Sequence, residues 1–444
     1  MAMMAIFIIG AEILLLWSLA VISRFAIKYS NFNGMISISV FKNTVLFSVL
    51  LMLSCSSVTK KIENRDEKIE VVAQKQLVEI KTGADNSSAY LPLLKDKKVG
   101  IITNQTGILS DKTHLVDFLL DKKINVQKIY APEHGFRGTA DAGELIKDGK
   151  DTKTGLPIIS LYGNNKKPKP EQLAGIDVMV FDLQDVGARF YTYISSLHYI
   201  MEACAENNIP LIVLDRPNPN GSIVDGPILE KEHTSFVGMH QIPLLHGMTI
   251  GEYAKMINGE KWLNSTTSSG QKVECKLTVI PCLNYSREMA YSLPVKPSPN
   301  LPNDQSINLY ASLCLFEGTN VSSGRGTEMQ FQIYGSPFLP KSSFSFTPIP
   351  NFGAKDPMHN GKLCYGEDLT KIEKVKLLEL KWLIKAYNST SDKSKFFNDF
   401  FLKLAGTKKL REQIEAGIPE SEIRKSWEKG LNDFKEMRKK YLIY

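Results

Sequence analysis

The sequence predicts an α/β fold with a mostly parallel sheet, followed by a smaller α+β domain. From Lys98 onward, short apolar runs typical of buried strands alternate with segments whose apolar residues recur at helical spacing. That alternation favours a parallel sheet with helices on both faces. After about Trp262 the sequence changes to a Ser-, Thr- and Gly-rich stretch and then to a Lys-rich, helix-forming region, which indicates a second domain.

The predicted elements follow one another at short intervals. The strands of the first domain are Lys98–Thr103, Val126–Ala131, Pro157–Leu161, Asp177–Asp182 and Pro210–Asp215. The helices are Thr113–Asp121, Tyr191–Asn207 and Thr249–Asn258. A further strand, Lys272–Pro281, comes after the change in composition, and the region from Lys371 to the C-terminus is predicted to be mainly helical.

The N-terminal region indicates export. Residues 1–27 are largely apolar and long enough to span a membrane. A second apolar run, Val40–Leu53, has the charged start and small-residue end of a secretory signal peptide. Two leaders in tandem are redundant, so we interpret Met35 as the true start. A membrane anchor at residues 1–34 is the alternative.

The second apolar run ends in Leu53-Ser54-Cys55, which resembles a lipobox, with Met52 where leucine is usual. We therefore expect lipidation of Cys55 and attachment to a membrane through that lipid. The expected location is the periplasm or the outer membrane of a Gram-negative bacterium.

These features divide the chain of 444 residues into four parts. Residues 1–55 form the leader, and residues 56–90, which are polar and rich in Lys and Glu, form a tether. Residues 91–263 form the sheet domain and residues 264–444 the smaller α+β domain. The length suits two domains and a leader.

Composition and motifs exclude several functions. The net charge of +7 is spread along the chain without an aromatic-interleaved basic stripe, so we expect no nucleic-acid partner. The sequence has no dinucleotide or Walker loop, no GxSxG elbow and no HExxH or zinc-spaced cluster, so a nucleotide site and a serine hydrolase lack support and we expect no metal. Cys275 and Cys282 are close enough in sequence to pair in an oxidising compartment, and the sequence leaves that open.

Polar, Gly-punctuated loops follow four of the predicted strands. They are Asn104–Gly107, Ala131–Gly138, Asp182–Arg189 and Asp215–Gly221. Sites in open α/β sheets form beyond the carboxyl ends of the strands, so we expect a polar ligand there. A helix cap is the alternative for any one aspartate. Carboxylates, carboxamides and arginines without a metal suit glycoside hydrolysis, which needs a carboxylic acid and a second group.

Longer motifs make a family resemblance specific. They include TNQTG at 103–107, APEHGFRG at 131–138, SLYG at 160–163, FDLQDVGARFYTYI at 181–194, LDRPNPNG at 214–221, HGMT at 246–249, PSPNLP at 297–302, FEGTN at 316–320 and SGRGT at 323–327. From about Leu91 to the C-terminus the chain resembles the NamZ-type exo-β-N-acetylmuramidases, a family formerly described only as a domain of unknown function.

The resemblance implies a Rossmann-like catalytic domain, an auxiliary domain that closes the cleft, and an active site between them. It implies release of N-acetylmuramic acid from the non-reducing ends of peptidoglycan fragments, in cell-wall turnover, without a cofactor. The alternatives are an envelope lipoprotein that binds muropeptides without cleaving them and a glycosidase for another acidic sugar. The stereochemical mechanism, the oligomeric state and the tolerance for peptide stems stay open.

We assign the catalytic roles to residues at the strand ends. Glu133 is the predicted general acid; the alternative is a structural carboxylate that holds the loop of Arg137. His134 either orients Glu133 or binds sugar; the alternative is a satisfied loop histidine. Asp185 is favoured over Asp182 as the second catalytic group because it lies further out on its loop. Participation by the acetamido group of the substrate would need no protein nucleophile.

Muramic acid carries a lactyl carboxylate, which an arginine can bind in bidentate fashion. The candidates are Arg137, Arg189, Arg216 and Arg325, each with an intramolecular ion pair as the alternative. The other predicted substrate-binding residues are Asn104, Asp182, Gln184, Asp215, Asn218, His246, Glu317, Asn320 and Glu328. Phe190, Tyr191 and Tyr193 are candidates for a stacking face, with burial in the core as the alternative.

Overall fold

A seven-stranded sheet forms the centre of the larger part of the molecule. The computed structural model describes residues 79–133, 135–136, 148–266 and 270–444. The strands are β1 (Lys98–Thr103), β2 (Asn125–Ala131), β3 (Gly149–Lys150), β4 (Pro157–Ser160), β5 (Val178–Asp182), β6 (Leu211–Leu214) and β7 (Leu277–Ile280). Their order is β3-β4-β2-β1-β5-β6-β7, and every pair is parallel except β3–β4. The predicted mostly parallel sheet is confirmed.

Helices cover both faces of this sheet, as the alternation in the sequence predicted. They are α1 (Ser87–Leu94), α2 (Leu115–Asp121), α3 (Pro170–Leu173), α4 (Tyr193–Glu206) and α5 (Ile250–Gly259). Strand β5 shows why its sequence is apolar throughout: Val178 and Val180 join the core that includes α1 and α2, whereas Met179 and Phe181 join the core that includes α4 and α5. A parallel strand buried on both faces needs an unbroken apolar run.

The C-terminal part contains a small antiparallel sheet and several short helices. The sheet, in the order β8-β10-β9, contains β8 (Ile333–Ser336), β9 (Phe344–Phe346) and β10 (Cys364–Asp368). The helices are α6 (Asp304–Leu313), α7 (Lys381–Ser389), α8 (Phe400–Ala405), α9 (Lys409–Glu415), α10 (Glu420–Lys425) and α11 (Glu428–Arg438). This α+β character and the helical C-terminus agree with the sequence prediction.

Two segments lie elsewhere in the fold than the sequence suggested. The strand predicted over Lys272–Pro281 is β7, and its Val279 pairs with Val213 of β6, so the large sheet takes its edge strand from beyond residue 263. Residues 79–90, assigned above to the tether, belong to the folded unit, since Tyr90 is buried and donates a hydrogen bond to the carbonyl of Ala84 at 2.8 Å.

The leader, the lipidation site Cys55 and residues 56–78 of the tether lie outside the described residues. In the part of the chain that is described, no helix combines the length and the apolar character needed to cross a bilayer. Cys275 and Cys282 are buried free thiols and not a disulfide. The thiol of Cys282 instead lies 3.3 Å from the carbonyl oxygen of Asp215.

Candidate active site

A cavity of about 240 Å³ is lined by loop and helix residues from both the sheet part and the C-terminal part of the molecule. Pockets for drug-sized ligands are usually larger, about 300–1,000 Å³, so this cavity suits a ligand the size of one sugar residue. Its polar lining residues are Glu133, Tyr162, Thr192, Ser298, Asn300, Glu317 and Arg325. Its aromatic lining residues are Phe190, Tyr191, Tyr193, Phe236, Tyr310, Phe331 and Phe400.

Glu133, just after the carboxyl end of β2, is held at the cavity by two hydroxyl groups. The hydroxyl of Tyr162 lies 3.2 Å from Oε1, and that of Thr192 lies 2.9 Å from Oε2. Thr192 is the N-cap residue of α4 but makes no side-chain capping bond, so its hydroxyl serves Glu133 instead. These contacts fix the position of the carboxyl group at the cavity, and a group that transfers a proton must be held within reach of its substrate.

An aromatic wall stands beside Glu133. The Nδ2 of Asn104 donates to the hydroxyl of Tyr193 at 2.6 Å, and the hydroxyl of Tyr191 donates to the carbonyl of Pro297 at 2.7 Å. Burial, together with the charge of Glu133, raises the pKa of Tyr193, so its hydroxyl stays neutral. Asn104, a predicted sugar ligand, is fully buried and therefore reaches the cavity only through Tyr193.

Asp182 and Arg216 form a buried ion pair outside the cavity lining. The Nε of Arg216 lies 2.6 Å from Oδ1 of Asp182, and Nη2 lies 2.9 Å from Oδ2. Burial disfavours the guanidinium charge, but the charge of Asp182 outweighs it and raises the pKa of Arg216. This geometry corresponds to the intramolecular ion pair weighed above as the alternative to lactyl recognition.

Arg189 is also held by internal partners. Its Nη1 donates to the carbonyls of Pro227 and Ile242, and its Nη2 donates to those of Leu404 and Ala405. The last two carbonyls close α8, where the helix carries partial negative charge that favours a cation. Burial lowers the pKa of Arg189 to about 9. Arg189 thus ties the loop after β5 to the C-terminal helices.

Three predicted site residues lie behind the cavity wall. Asp185 accepts from the backbone N–H of Gly187 at 2.7 Å and lies 3.6 Å from Nε2 of His246. The Nε2 of Gln184 donates to the carbonyls of Asp185 and Pro217. Asp185, His246 and Gln184 are buried, and the lining residues do not include them. The role of Asp185 as the second catalytic group stays a prediction.

The loop after β6 makes hydrogen bonds with the start of α5. Asp215 accepts from the N–H of Gly251 at 2.7 Å and from the hydroxyls of Thr249 and Tyr444 at 2.7 and 2.9 Å. Burial raises the pKa of Asp215 to about 7. Asn218 donates to the carbonyl of Met248 at 2.9 Å. Both predicted ligands therefore hold the start of a helix, the alternative that applies to any aspartate at a strand end.

Arg325 reaches the cavity from a loop between two glycines with positive φ. Gly324 has φ +82° and Gly326 has φ +81°, a region that disfavours other residues. The Nη1 of Arg325 lies 3.1 Å from Oε1 of Glu317, and its Nη2 lies 3.3 Å from the carbonyl of Gly353. Both side chains are about one-quarter exposed. The structure thus brings Glu133, Glu317 and Arg325 to one cavity.

The remaining predicted residues divide into two groups. Asn320 and Glu328 lie outside the cavity lining, and Glu328 is exposed. His134 and Arg137 lie outside the described residues.

The sequence analysis did not single out four polar lining residues. They are Tyr162, Thr192, Ser298 and Asn300. The sequence could have indicated these residues, since each belongs to one of the motifs that carry the family resemblance.

One group of the described residues has the geometry of metal ligands. The ligand atoms of Glu230, Glu232 and His233 lie within 4.8 Å of one another. Glu230 is already paired with Lys409 at 2.9 Å, and none of the three lines the cavity. Exposed acidic groups of this kind are common without an ion, so we assign no metal to it.

Comparisons with known proteins identify the family to which the chain belongs. Residues 99–305 match the model of the N-terminal part of the exo-β-N-acetylmuramidase NamZ, and residues 308–444 match that of its C-terminal part. The peptidoglycan β-N-acetylmuramidase NamZ of Bacillus subtilis (strain 168) is 40% identical over 390 residues, which cover 82% of this chain and 91% of the relative.

Two crystal structures from Bacteroides fragilis, each described as a DUF1343 family protein, share the fold. One has a TM-score of 0.76 and 44% identity, covering 83% of this chain and 99% of the other. The second has a TM-score of 0.68 and 30% identity, with coverage of 82% and 99%. Identity at this level over most of both chains shows common descent, and the chain belongs to the NamZ family of exo-β-N-acetylmuramidases.

Proposed function

We propose that this protein is an exo-acting glycoside hydrolase that releases N-acetylmuramic acid from the non-reducing ends of peptidoglycan fragments, in cell-wall turnover. The observation that carries the proposal is the joint presence of Glu133, Glu317 and Arg325 at one cavity of about 240 Å³. The B. subtilis relative is described as a peptidoglycan β-N-acetylmuramidase, which names the same substrate class.

In this proposal Glu133 protonates the glycosidic oxygen as the bond from that oxygen to the anomeric carbon of the muramic acid breaks. Tyr162 and Thr192 hold its carboxyl group in place. Water finally adds at the anomeric carbon. Glu317 is the other carboxylate among the described lining residues, so it is our first candidate for the group that stabilises the cationic transition state or orients its attacker.

Among the three candidate arginines that the structure describes, Arg325 is the best placed to bind the lactyl carboxylate. Arg189 and Arg216 are buried and hydrogen-bonded to internal partners, whereas Arg325 lines the cavity with its side chain about one-quarter exposed. A guanidinium matches a carboxylate in charge and in fork geometry. N-acetylglucosamine lacks that carboxylate, so the preference for muramic acid should depend on this side chain.

We therefore expect Arg325→Met to lower kcat/KM for a chromogenic N-acetylmuramide about 10- to 100-fold, because hydrogen bonds to charged groups contribute about 1.5–3 kcal/mol. The slow release of the chromophore from the matching N-acetylglucosaminide should be the same in the variant as in wild type. Arg411→Met, whose guanidinium pairs with Glu415 away from the cavity, is the control. An equal loss on both substrates would instead assign Arg325 to positioning Glu317.

The activity itself is tested with the purified protein and a chromogenic N-acetylmuramide between pH 5 and 8. We expect release of the chromophore, and muropeptides should yield free N-acetylmuramic acid. Binding of muropeptides without release at any of these pH values would favour the binding lipoprotein. Faster release of the chromophore from a glycoside of another acidic sugar would show that this other sugar is the preferred substrate.

We further propose that the protein is exported and held in the envelope by a lipid on Cys55, in the periplasm or the outer membrane of a Gram-negative bacterium. The apolar run that ends in Leu53-Ser54-Cys55 supports this, as does a substrate that lies in the envelope. Cys55→Ser in the full chain should move the protein from the detergent phase to the aqueous phase in Triton X-114 partition. Unchanged partition would count against lipidation.

A further inference from the structure

We propose that residues 349–354, named here the rim segment, bind the first sugar of the leaving group through the exposed ring of Phe352. The inference rests on the proposed muramidase function and adds a subsite to it. The ligand is the pyranose ring of N-acetylglucosamine that follows the terminal muramic acid.

The rim segment is attached along the loop that carries Arg325. The N–H of Ile349 donates to the carbonyl of Gly326 at 2.9 Å, and the Nδ2 of Asn351 donates to that of Thr327 at 3.1 Å. The guanidinium of Arg325 in turn donates to the carbonyl of Gly353. These bonds fix the rim segment beside one wall of the cavity.

A further contact ties the tip of the rim segment to a second lining residue. The Nδ2 of Asn300 donates to the carbonyl of Gly353 at 2.6 Å. Asn351 and Ala354 exchange both backbone hydrogen bonds, which makes a tight turn with Phe352 and Gly353 at its tip. The position of Phe352 therefore depends on the same residues that shape the cavity.

The rim segment also exposes apolar side chains that the fold does not need there. Phe352 is 64% exposed and Ile349 is 59% exposed, although each lies within a segment held by several hydrogen bonds. Large apolar groups left in water on a fixed turn often mark a binding surface. The carbon–hydrogen face of a pyranose packs against an aromatic ring in the same way as other apolar groups.

An exo-acting enzyme binds the terminal sugar in its cavity, so the rest of the bound substrate must extend out through the opening of the cavity. The cavity of about 240 Å³ has room for one sugar residue. We place the next sugar at the rim segment, which is bonded to the lining residues Asn300 and Arg325. The first sugar of the leaving group, N-acetylglucosamine, carries no charge, so an aromatic ring suits its binding better than a charged side chain does.

The test compares two substrates of wild type and Phe352→Ala. One is the disaccharide of N-acetylmuramic acid linked to N-acetylglucosamine, and the other is methyl N-acetyl-β-muramide, whose leaving group is too small to reach the rim. We expect kcat/KM for the disaccharide to fall about tenfold, mainly through KM, a change of about 1.4 kcal/mol. The methyl glycoside should be hydrolysed at the wild-type rate.

Two further variants serve as controls. Phe338→Ala removes another exposed ring of the C-terminal part, 53% exposed and outside the rim segment, and should change neither substrate. Phe352→Trp keeps a stacking surface and should keep the disaccharide rate. Circular dichroism confirms that each variant is folded.

Three results would overturn the proposal. One is a disaccharide kcat/KM within twofold of wild type in Phe352→Ala. Another is an equal loss on both substrates, and the third is a loss seen only when the leaving group carries a peptide stem. If wild type hydrolyses neither substrate, the muramidase function fails. Titration of the disaccharide into wild type and Phe352→Ala then still tests the subsite by affinity, and equal affinities would overturn it.

Discussion

Replacing Glu133 with glutamine is expected to lower kcat on a muramide substrate about 10³-fold and to leave the fold intact. General acid catalysis typically contributes about 10²- to 10⁴-fold, and glutamine cannot give up a proton. The substitution keeps the shape of the side chain, and its amide can accept from one of the hydroxyls of Tyr162 and Thr192 and donate to the other. Thermal unfolding should therefore be close to wild type, while steady-state kinetics show the loss.

Matched carboxylate variants make this experiment specific. Glu328→Gln removes an exposed carboxyl group outside the cavity lining and should retain full activity. Glu317→Gln should lose more activity than Asp185→Asn, because Glu317 lines the cavity and Asp185 lies behind its wall. Near-normal turnover by Glu133→Gln would remove Glu133 as the acid, and a larger loss in Asp185→Asn would restore Asp185 as its partner.

Replacing Arg216 with methionine is expected to lower the free energy of unfolding by about 3–5 kcal/mol, because it leaves Asp182 buried without its partner. Both side chains are almost fully buried, and two hydrogen bonds join them. Arg216 also donates to the carbonyl of Ile108 at 3.0 Å, a bond that methionine cannot replace. Urea denaturation followed by circular dichroism measures the change.

Two controls separate the buried pair from ordinary surface charge. Lys429→Met breaks the exposed pair with Asp433 and should leave the free energy of unfolding close to that of wild type. The double variant Asp182→Leu/Arg216→Met leaves no unpaired charge and should be more stable than Arg216→Met alone. A loss below about 1 kcal/mol in Arg216→Met would mean that the pair is not structural, and the role of Arg216 as a substrate ligand would regain support.

The periodicity of the sequence was sufficient for the large sheet. Apolar runs such as 178–182 predicted strands buried on both faces, and helical spacing after Tyr191 predicted α4, which the structure begins at Tyr193. The position of strand β7 in the sequence was predicted, but its pairing with β6 was not. The apolar run at 277–280 looks the same whether the strand joins the large sheet or a separate one. Pairing between distant strands leaves no mark in either strand alone.

The candidate site was predictable in composition but not in arrangement. The strand-end rule brought Glu133, Asp182, Asp185 and Asp215 to one edge of the sheet, since parallel strands end together. The strand-end rule did not distinguish the carboxylate that lines the cavity from the carboxylates that bind internal partners. Asp182 is neutralised by Arg216, and Asp215 accepts bonds from α5 and from the C-terminal Tyr444.

The sequence alone determined the α/β class and the family, because apolar periodicity and long motifs are local properties of a chain, and it singled out Glu133 as a candidate. Only the tertiary structure decided which polar groups are available to a ligand. That outcome depends on hydrogen bonds between residues far apart in sequence, such as Thr192 with Glu133 or Arg189 with Leu404. A buried polar group must find such a partner, and the partner determines whether it serves the fold or the substrate.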